Sequence, residues 1–416
     1  MDKKIEDHNL TTKLRARDLT QPAVAILSVT GVLLVLGITA QYGVGTSPDS
    51  IAYMSVAKSL LAGDGFIYPG GELYIKWPPL FPVVLAVPGS LGIDGVTGAR
   101  FVNAFAFGGI VFGAGQLFRM HLNSKVLILA GTVSILLSPV LLRISIKVWT
   151  EPLFTFFAVF FLYFLYRFLN EKRMAFLLLM SILASLAVLQ RYIGITLILA
   201  GVIAIAIGMR DISVAQRLKY LTGFSLISMV PIGIWITRNF LLASSVTGSR
   251  PNSYHTILQS LGRTAETFTS WFIPSQIPFS AAVIVLGVSL LILIGIVVSV
   301  QYKLNRRVNL QLDNAWPAIV FLTVYLLVLI PAATRVYDPI GLRLLAPVYV
   351  FMMLLLLVGV EAAARSLNRI GRSNLLGNCL VTGIAVLWLT SLAGQFASLE
   401  LREQAKMAVA AFQWVR

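Results

Sequence analysis

The chain has 416 residues, 57% of them hydrophobic and only 12% charged, with a net charge of +16. A soluble domain carries about 25% charged residues, so this composition argues against a soluble enzyme and for a polytopic membrane protein. The positive balance does not point to nucleic acid, because the basic residues stand in small groups between apolar runs, as topology signals do.

Apolar runs of about 20 residues cross a bilayer. They fall near 22–42, 101–119, 125–142, 151–168, 174–190, 192–209, 219–240, 279–301, 315–333, 344–363 and 375–397. The expected fold class is therefore an all-α polytopic membrane protein with about eleven transmembrane helices. Alternate connections hold the greater share of the 33 Lys and Arg residues, beginning with Lys3, Lys4, Lys13, Arg15 and Arg17. The positive-inside rule then places the N-terminus in the cytoplasm and the C-terminus outside. Residues 1–416 read as one transmembrane domain without a separate soluble domain. Two long segments, 43–100 and 241–279, fall on the outer side, and long connections in compact proteins are more often functional than idle.

The first outer segment opens with Ser47-Pro48-Asp49, a helix-start signal of N-cap Ser, Pro at the first position and an acid in the first turn. Such an acid favours the helix dipole whatever else it does. Ala52, Tyr53, Val56, Ala57 and Leu60 follow at helical spacing, which predicts an amphipathic juxtamembrane helix ended by Gly63-Asp64-Gly65. Asp49 and Tyr53 share one face of it. Next come the aromatics Tyr68, Tyr74 and Trp77, then Lys76 and the helix-breaking Pro78-Pro79. Leu80 to Val87 reads as a half-embedded segment returning to the outer surface.

Further along, Arg100, Arg143, Lys147, Glu151, Arg191, Arg238, Arg250, Arg263, Arg335, Asp338 and Arg343 fall at outer span ends or in outer connections. A single arginine at a helix end is ordinary snorkelling. A gathering of them on the side where cations are disfavoured suits an anionic ligand, because the planar guanidinium binds two oxygens of a phosphate at once. Asp49 could take a proton from a hydroxyl nucleophile. Arg100, Arg191, Arg238 and Arg343 are candidates to hold a phosphate leaving group. Tyr53, Tyr74 and Trp77 could stack on sugar faces, and Asp64 and Glu151 are secondary acid candidates. The three histidines, His8, His121 and His255, form no metal-ligand pattern, and Cys379, in an apolar run, reads as a packed thiol.

The ordered stretches "PDSIAYMSVAKSLLAGDGF", "PPLFPVVLA", "GARFVNA" and "WTEPLF", followed by "RYIGITLI", "WITRNFL" and "GLRLLAPVY", resemble the GT-C superfamily of integral-membrane glycosyltransferases. The likeness is closest to the bacterial branch related to protein mannosyltransferases and aminoarabinose transferases (RgtA/B/C/D-like). The resemblance implies a polyprenyl-phosphate sugar donor, an extracytoplasmic site in the plasma (inner) membrane, and an acceptor that is a lipid, a glycan or a protein. It implies that Asp49 is the catalytic acid or the anchor of a divalent metal cation. Lys76 resembles a basic residue near the lipid phosphate, although Trp77 separates it from the double proline. Glu151 matches an acidic position that opens a span. The adjacent acid pair of some members is replaced here by Asp49-Ser50. A transporter or flippase of an anionic lipid or solute is the competing class, but such folds show internal repeats and midplane breaks, which this sequence lacks.

Overall fold

In the computed structural model, residues 19–272, 280, 312–335, 338–370, 375 and 377–386 are described. The described residues are almost wholly helical. Seven of their helices are long and apolar enough to cross a membrane. The chain is a multi-pass membrane protein.

The first span, α1 (Thr20–Ile38), leads into a juxtamembrane pair, α2 (Pro48–Ala62) and α3 (Leu80–Gly89). The spans α4 (Gly95–His121), α5 (Lys125–Leu136) with α6 (Pro139–Ser145), and α7 (Glu151–Glu171) follow. After them come α8 (Met174–Gln190), α9 (Ile195–Gly208), α10 (Val214–Ala243) and α11 (Ile257–Phe272). The last are α12 (Leu312–Ala333), the short α13 (Leu342–Leu345), α14 (Tyr349–Ile370) and α15 (Gly377–Val386). Nine of the eleven expected spans coincide with this series to within a few residues. The run at 279–301 lies outside the described residues apart from residue 280, and that at 375–397 is described only in part. Cys379 is exposed, not packed, because α15 turns that side away from the neighbours described.

Local chemistry explains the breaks. Ser47 caps α2 through a reciprocal pair with Ser50, Pro48 occupies the first turn, and Gly63 ends the helix at φ +86°, a conformation that costs a side-chain-bearing residue dearly. Ser138-Pro139 interrupts what otherwise reads as one span, because proline removes a helical N–H and Ser138 caps the restart. Asp94 caps α4 by accepting from the N–H groups of Val96 (3.0 Å) and Thr97 (3.1 Å).

α4 is the central post, packed between α1 and α7. Its glycines allow the approach: a Cβ on Gly108 would stand 2.4 Å from Val32 Cγ2 and 2.9 Å from the Ser28 carbonyl oxygen, both on α1. Ser28 Oγ donates to the Gly108 carbonyl at 2.8 Å across the same contact. Small residues at helix crossings are how lipid-embedded helices pack closely. Phe107, Phe118, Phe154, Phe161 and Phe168 fill the interior of the bundle. Lipid-facing side chains such as Ile26, Val29 and Leu33 of α1 are exposed.

The two long segments, 43–100 and 241–279, hold helices. Between α2 and α3, Ile67 and Leu73 form an isolated antiparallel bridge around Gly70 and Gly71, and this turn delivers Tyr74 and Trp77 to the bundle mouth. In the second segment α11 buries Ser260, Thr264 and Trp271, while Ile257, Leu258 and Leu261 are exposed. A helix with its apolar side turned outward lies against lipid.

Candidate active site

The bundle mouth is organised by a tie between two connections. Gly45, before α2, and Lys147, before α7, form a parallel bridge. The Gly45 N–H donates to the Ile146 carbonyl, and the Val148 N–H to the Gly45 carbonyl, each at 2.8 Å. Asn103 of α4 donates to the carbonyls of Ser145 and Lys147. Ser50 Oγ donates to the Val148 carbonyl at 2.8 Å, and Trp149 Nε1 to Ser47 Oγ at 3.0 Å. The starts of α2 and α7, and hence Asp49 and Glu151, are held side by side.

Between them stands Arg343, brought by α13 from the far end of the sequence. Its Nη1 donates to Asp49 Oδ2 at 2.8 Å and its Nε to Glu151 Oε1. Its guanidinium lies 4.6 Å from the ring centre of Trp149, which forms a shelf for it. Glu151 is fully buried and also pairs with Arg191, which in turn donates to Thr150 Oγ1 at 2.7 Å. Two acids and two arginines thus form one connected chain. Burying a carboxylate is tolerable only when its charge is met in this way.

Facing this chain is a cavity of about 290 Å³. Asp49, Tyr53, Trp77, Arg191, Arg250, Asp338 and Arg343 line it, with Val328, Leu329 and Ala332 of α12 as an apolar wall. Tyr53 is buried and makes edge-on contacts with Trp77 and Phe81. Burial, reinforced by Asp49 and Glu151, holds its hydroxyl in the protonated form well above the usual tyrosine range. Tyr68, beside the mouth, is pushed up to about 12 by burial and by Asp49 and Glu72. Burial also pushes the Lys147 ammonium down, assisted by Arg343 and Arg143. Gln190, also on the cavity, donates from Nε2 to the Thr150 carbonyl, and its buried Oε1 has no partner among the described residues.

Of the residues expected from the sequence, the structure brings Asp49, Glu151, Arg191, Arg343, Tyr53 and Trp77 together. Tyr74 stacks behind Trp77, 6.1 Å centre to centre, with its hydroxyl donating to the Pro78 carbonyl. Lys76 rests over the Trp77 ring beside the cavity, and its carbonyl accepts from Arg250. Three residues stand apart. Arg100 donates to Thr39 Oγ1 (3.0 Å) and the Leu36 carbonyl (2.7 Å), tying α4 to α1. Arg238 donates to the carbonyls of Tyr74 and Phe66, supporting the aromatic turn from behind. Asp64 is exposed beyond the end of α2. Arg250 and Asp338 appeared in the sequence only as members of a charged side; no spacing distinguished them. Trp149 gave no signal beyond its place in "WTEPLF".

The donor set does not fit a divalent cation. Asp49 gives its Oδ2 to Arg343 and Glu151 its Oε1 to Arg191 and Arg343 and its Oε2 to Thr150, and among the described residues no three His, Cys, Asp or Glu side chains converge.

Residues 76–235 match the family model described as dolichyl-phosphate-mannose-protein mannosyltransferase. ArnT from Cupriavidus metallidurans bound to undecaprenyl phosphate superposes with a TM-score of 0.56 at 15% identity, over 92% of this chain and 73% of that one. The fold is that of ArnT. Apo ArnT from the same organism gives a TM-score of 0.55 at 14% identity, with the same coverage. No curated protein sequence matches the chain. At these identities the likeness is one of fold.

Proposed function

We propose that the protein is a membrane glycosyltransferase that moves a sugar from a polyprenyl-phosphate donor to an acceptor on the extracytoplasmic face. The observation that carries this reading is the cavity in which Asp49 meets three arginines, Arg191, Arg250 and Arg343, beside the aromatic rings of Tyr53 and Trp77. The arginines suit a phosphate leaving group and its developing charge. The rings suit the faces of a sugar. The ArnT structure of the same fold holds undecaprenyl phosphate, and we carry that lipid class over to this chain. The distribution of Lys and Arg supports a cytoplasmic N-terminus, hence an outward-facing site in the inner membrane.

In this reading the acceptor hydroxyl attacks the anomeric carbon in a single displacement, which inverts that centre. Asp49 is the catalytic carboxylate: it holds the hydroxyl and balances positive charge building on the sugar ring. Arg343 fixes its position, and Lys76 flanks the phosphate. Protein in vesicles supplied with labelled polyprenyl-phosphate sugars should transfer label to a membrane acceptor. Asp49→Asn should slow transfer by at least about 100-fold while the protein still binds undecaprenyl phosphate. Transfer by Asp49→Asn at the wild-type rate would remove Asp49 from the chemistry.

A further inference from the structure

The cavity holds two acids whose circumstances differ. Asp49 is committed to Arg343, and the third acid of the mouth, Glu151, is buried and shared by two arginines. Asp338 lines the same cavity and is exposed to it, yet among the described residues it forms no ion pair. It lies on the stretch that leads into α13, five residues before Arg343, so the element that brings the arginine to Asp49 also brings this carboxylate to the same cavity.

We propose that Asp338 is the proton acceptor of the transfer reaction, with Asp49 serving charge and orientation. The inference rests on the glycosyltransferase reading. In the step, the acceptor hydroxyl oxygen forms a bond to the anomeric carbon. The bond from that carbon to the phosphate oxygen breaks, its electron pair leaving on the polyprenyl phosphate. The hydroxyl proton passes to the Asp338 carboxylate.

Three physical points support the division. A carboxylate bound to a guanidinium is a poor base, because protonation must break a charge-assisted hydrogen bond. A carboxylate without such a partner keeps its lone pairs for the substrate. Its exposure gives the proton a way out to water after each turnover. Although Asp338 is open to water on one side, the cavity walls partly desolvate its carboxyl and push it above its usual range; Arg343 and Arg191 oppose this, while Asp49 and Glu151 add to it. Arg250, Tyr53 and Tyr192 are the other ionisable groups among the described residues of the same cavity. A raised value brings a base closer to neutral pH, where general-base catalysis works best.

The sign of the pH effect follows. The base acts only when deprotonated, so kcat/KM should fall on the acid side, with a limb displaced above the ordinary carboxylate range. The test compares wild type, Asp338→Asn, Asp338→Glu and Asp338→Ala in vesicles, with undecaprenyl-phosphate binding and thermal melting measured alongside. Asp338→Asn should lose about 100-fold or more in kcat and lose the acid limb, with binding and melting close to wild type. Asp338→Glu should retain the limb, and added formate should restore part of the rate to Asp338→Ala. Wild-type rates in Asp338→Asn, or an acid limb that survives there and vanishes in Asp49→Asn, would overturn the assignment while leaving the glycosyltransferase reading intact. A wild-type protein that transfers no sugar would overturn both.

Discussion

The two ends of the bundle handle most of their charge differently. At the mouth, Asp49, Glu151, Arg191 and Arg343 form a linked chain in which Glu151 has no exposure at all. At the other end, Arg167 pairs with Glu171 and Lys172 with Asp211 in contacts where every side chain is about a third or more exposed; the exception is Glu361, buried beside Arg365 and the N–H groups of Asn123 and Ser124. The cavity at that end, about 150 Å³, is lined by Met120, His121, Tyr166 and Trp316, without an acid or an arginine among the described residues. Exposed pairs are screened by water and ions and contribute little. Buried ones must be complete, because each ion has surrendered its hydration. The contrast shows where the fold concentrates charge it could have left in solvent.

Mutations should separate the two ends in graded fashion. Glu151→Gln should have the largest effect, since it leaves two arginines without their shared counter-ion. The expected loss is on the order of 3 kcal/mol of stability, visible as a lowered melting temperature in detergent and poor folded yield. Asp49→Asn should instead remove activity while the melting temperature holds, because the amide oxygen still accepts from Arg343. Arg250→Ala should raise KM for the lipid donor by about tenfold, the equivalent of one lost charge-assisted hydrogen bond, with a smaller change in kcat. Arg100→Ala should leave KM alone and lower the melting temperature, because its partners Thr39 and Leu36 join α1 to α4. Lys172→Ala, at the end away from the mouth, should change neither transfer nor melting measurably. A substitution at that end that lowered transfer as much as Arg250→Ala would erase the distinction.

Much of the architecture was legible from composition, because lipid demands long apolar runs and the chain has them. The helix start at Asp49 was legible for a local reason: Ser47 and Pro48 carry its signal in three residues. The pairing of Asp49 with Arg343 was not. It joins positions 294 residues apart, and no local pattern encodes which of many arginines folds back. Arg100 shows the converse. Its position at a span end suited a phosphate ligand, yet two acceptors on α1 lie within reach and occupy it. Asp338 was one charge among eleven until the fold put it on the cavity without an ion-pair partner among the described residues. The glycine face of α4 went unread because small residues leave no hydropathy signature; what they do appears only when the neighbouring helix is in place.

The bridge between Gly45 and Lys147 sets a common origin for two helices. Asp49 lies four residues beyond one member of that pair and Glu151 four beyond the other. The connections therefore work as matched rulers. Removing one residue between bridge and acid on either side would shorten that connection by about 3.3 Å of extended chain, pulling that carboxylate out of place and leaving the other where it is. Substitutions in these two connections can be absorbed one at a time, but a change of length in one demands the same change in the other.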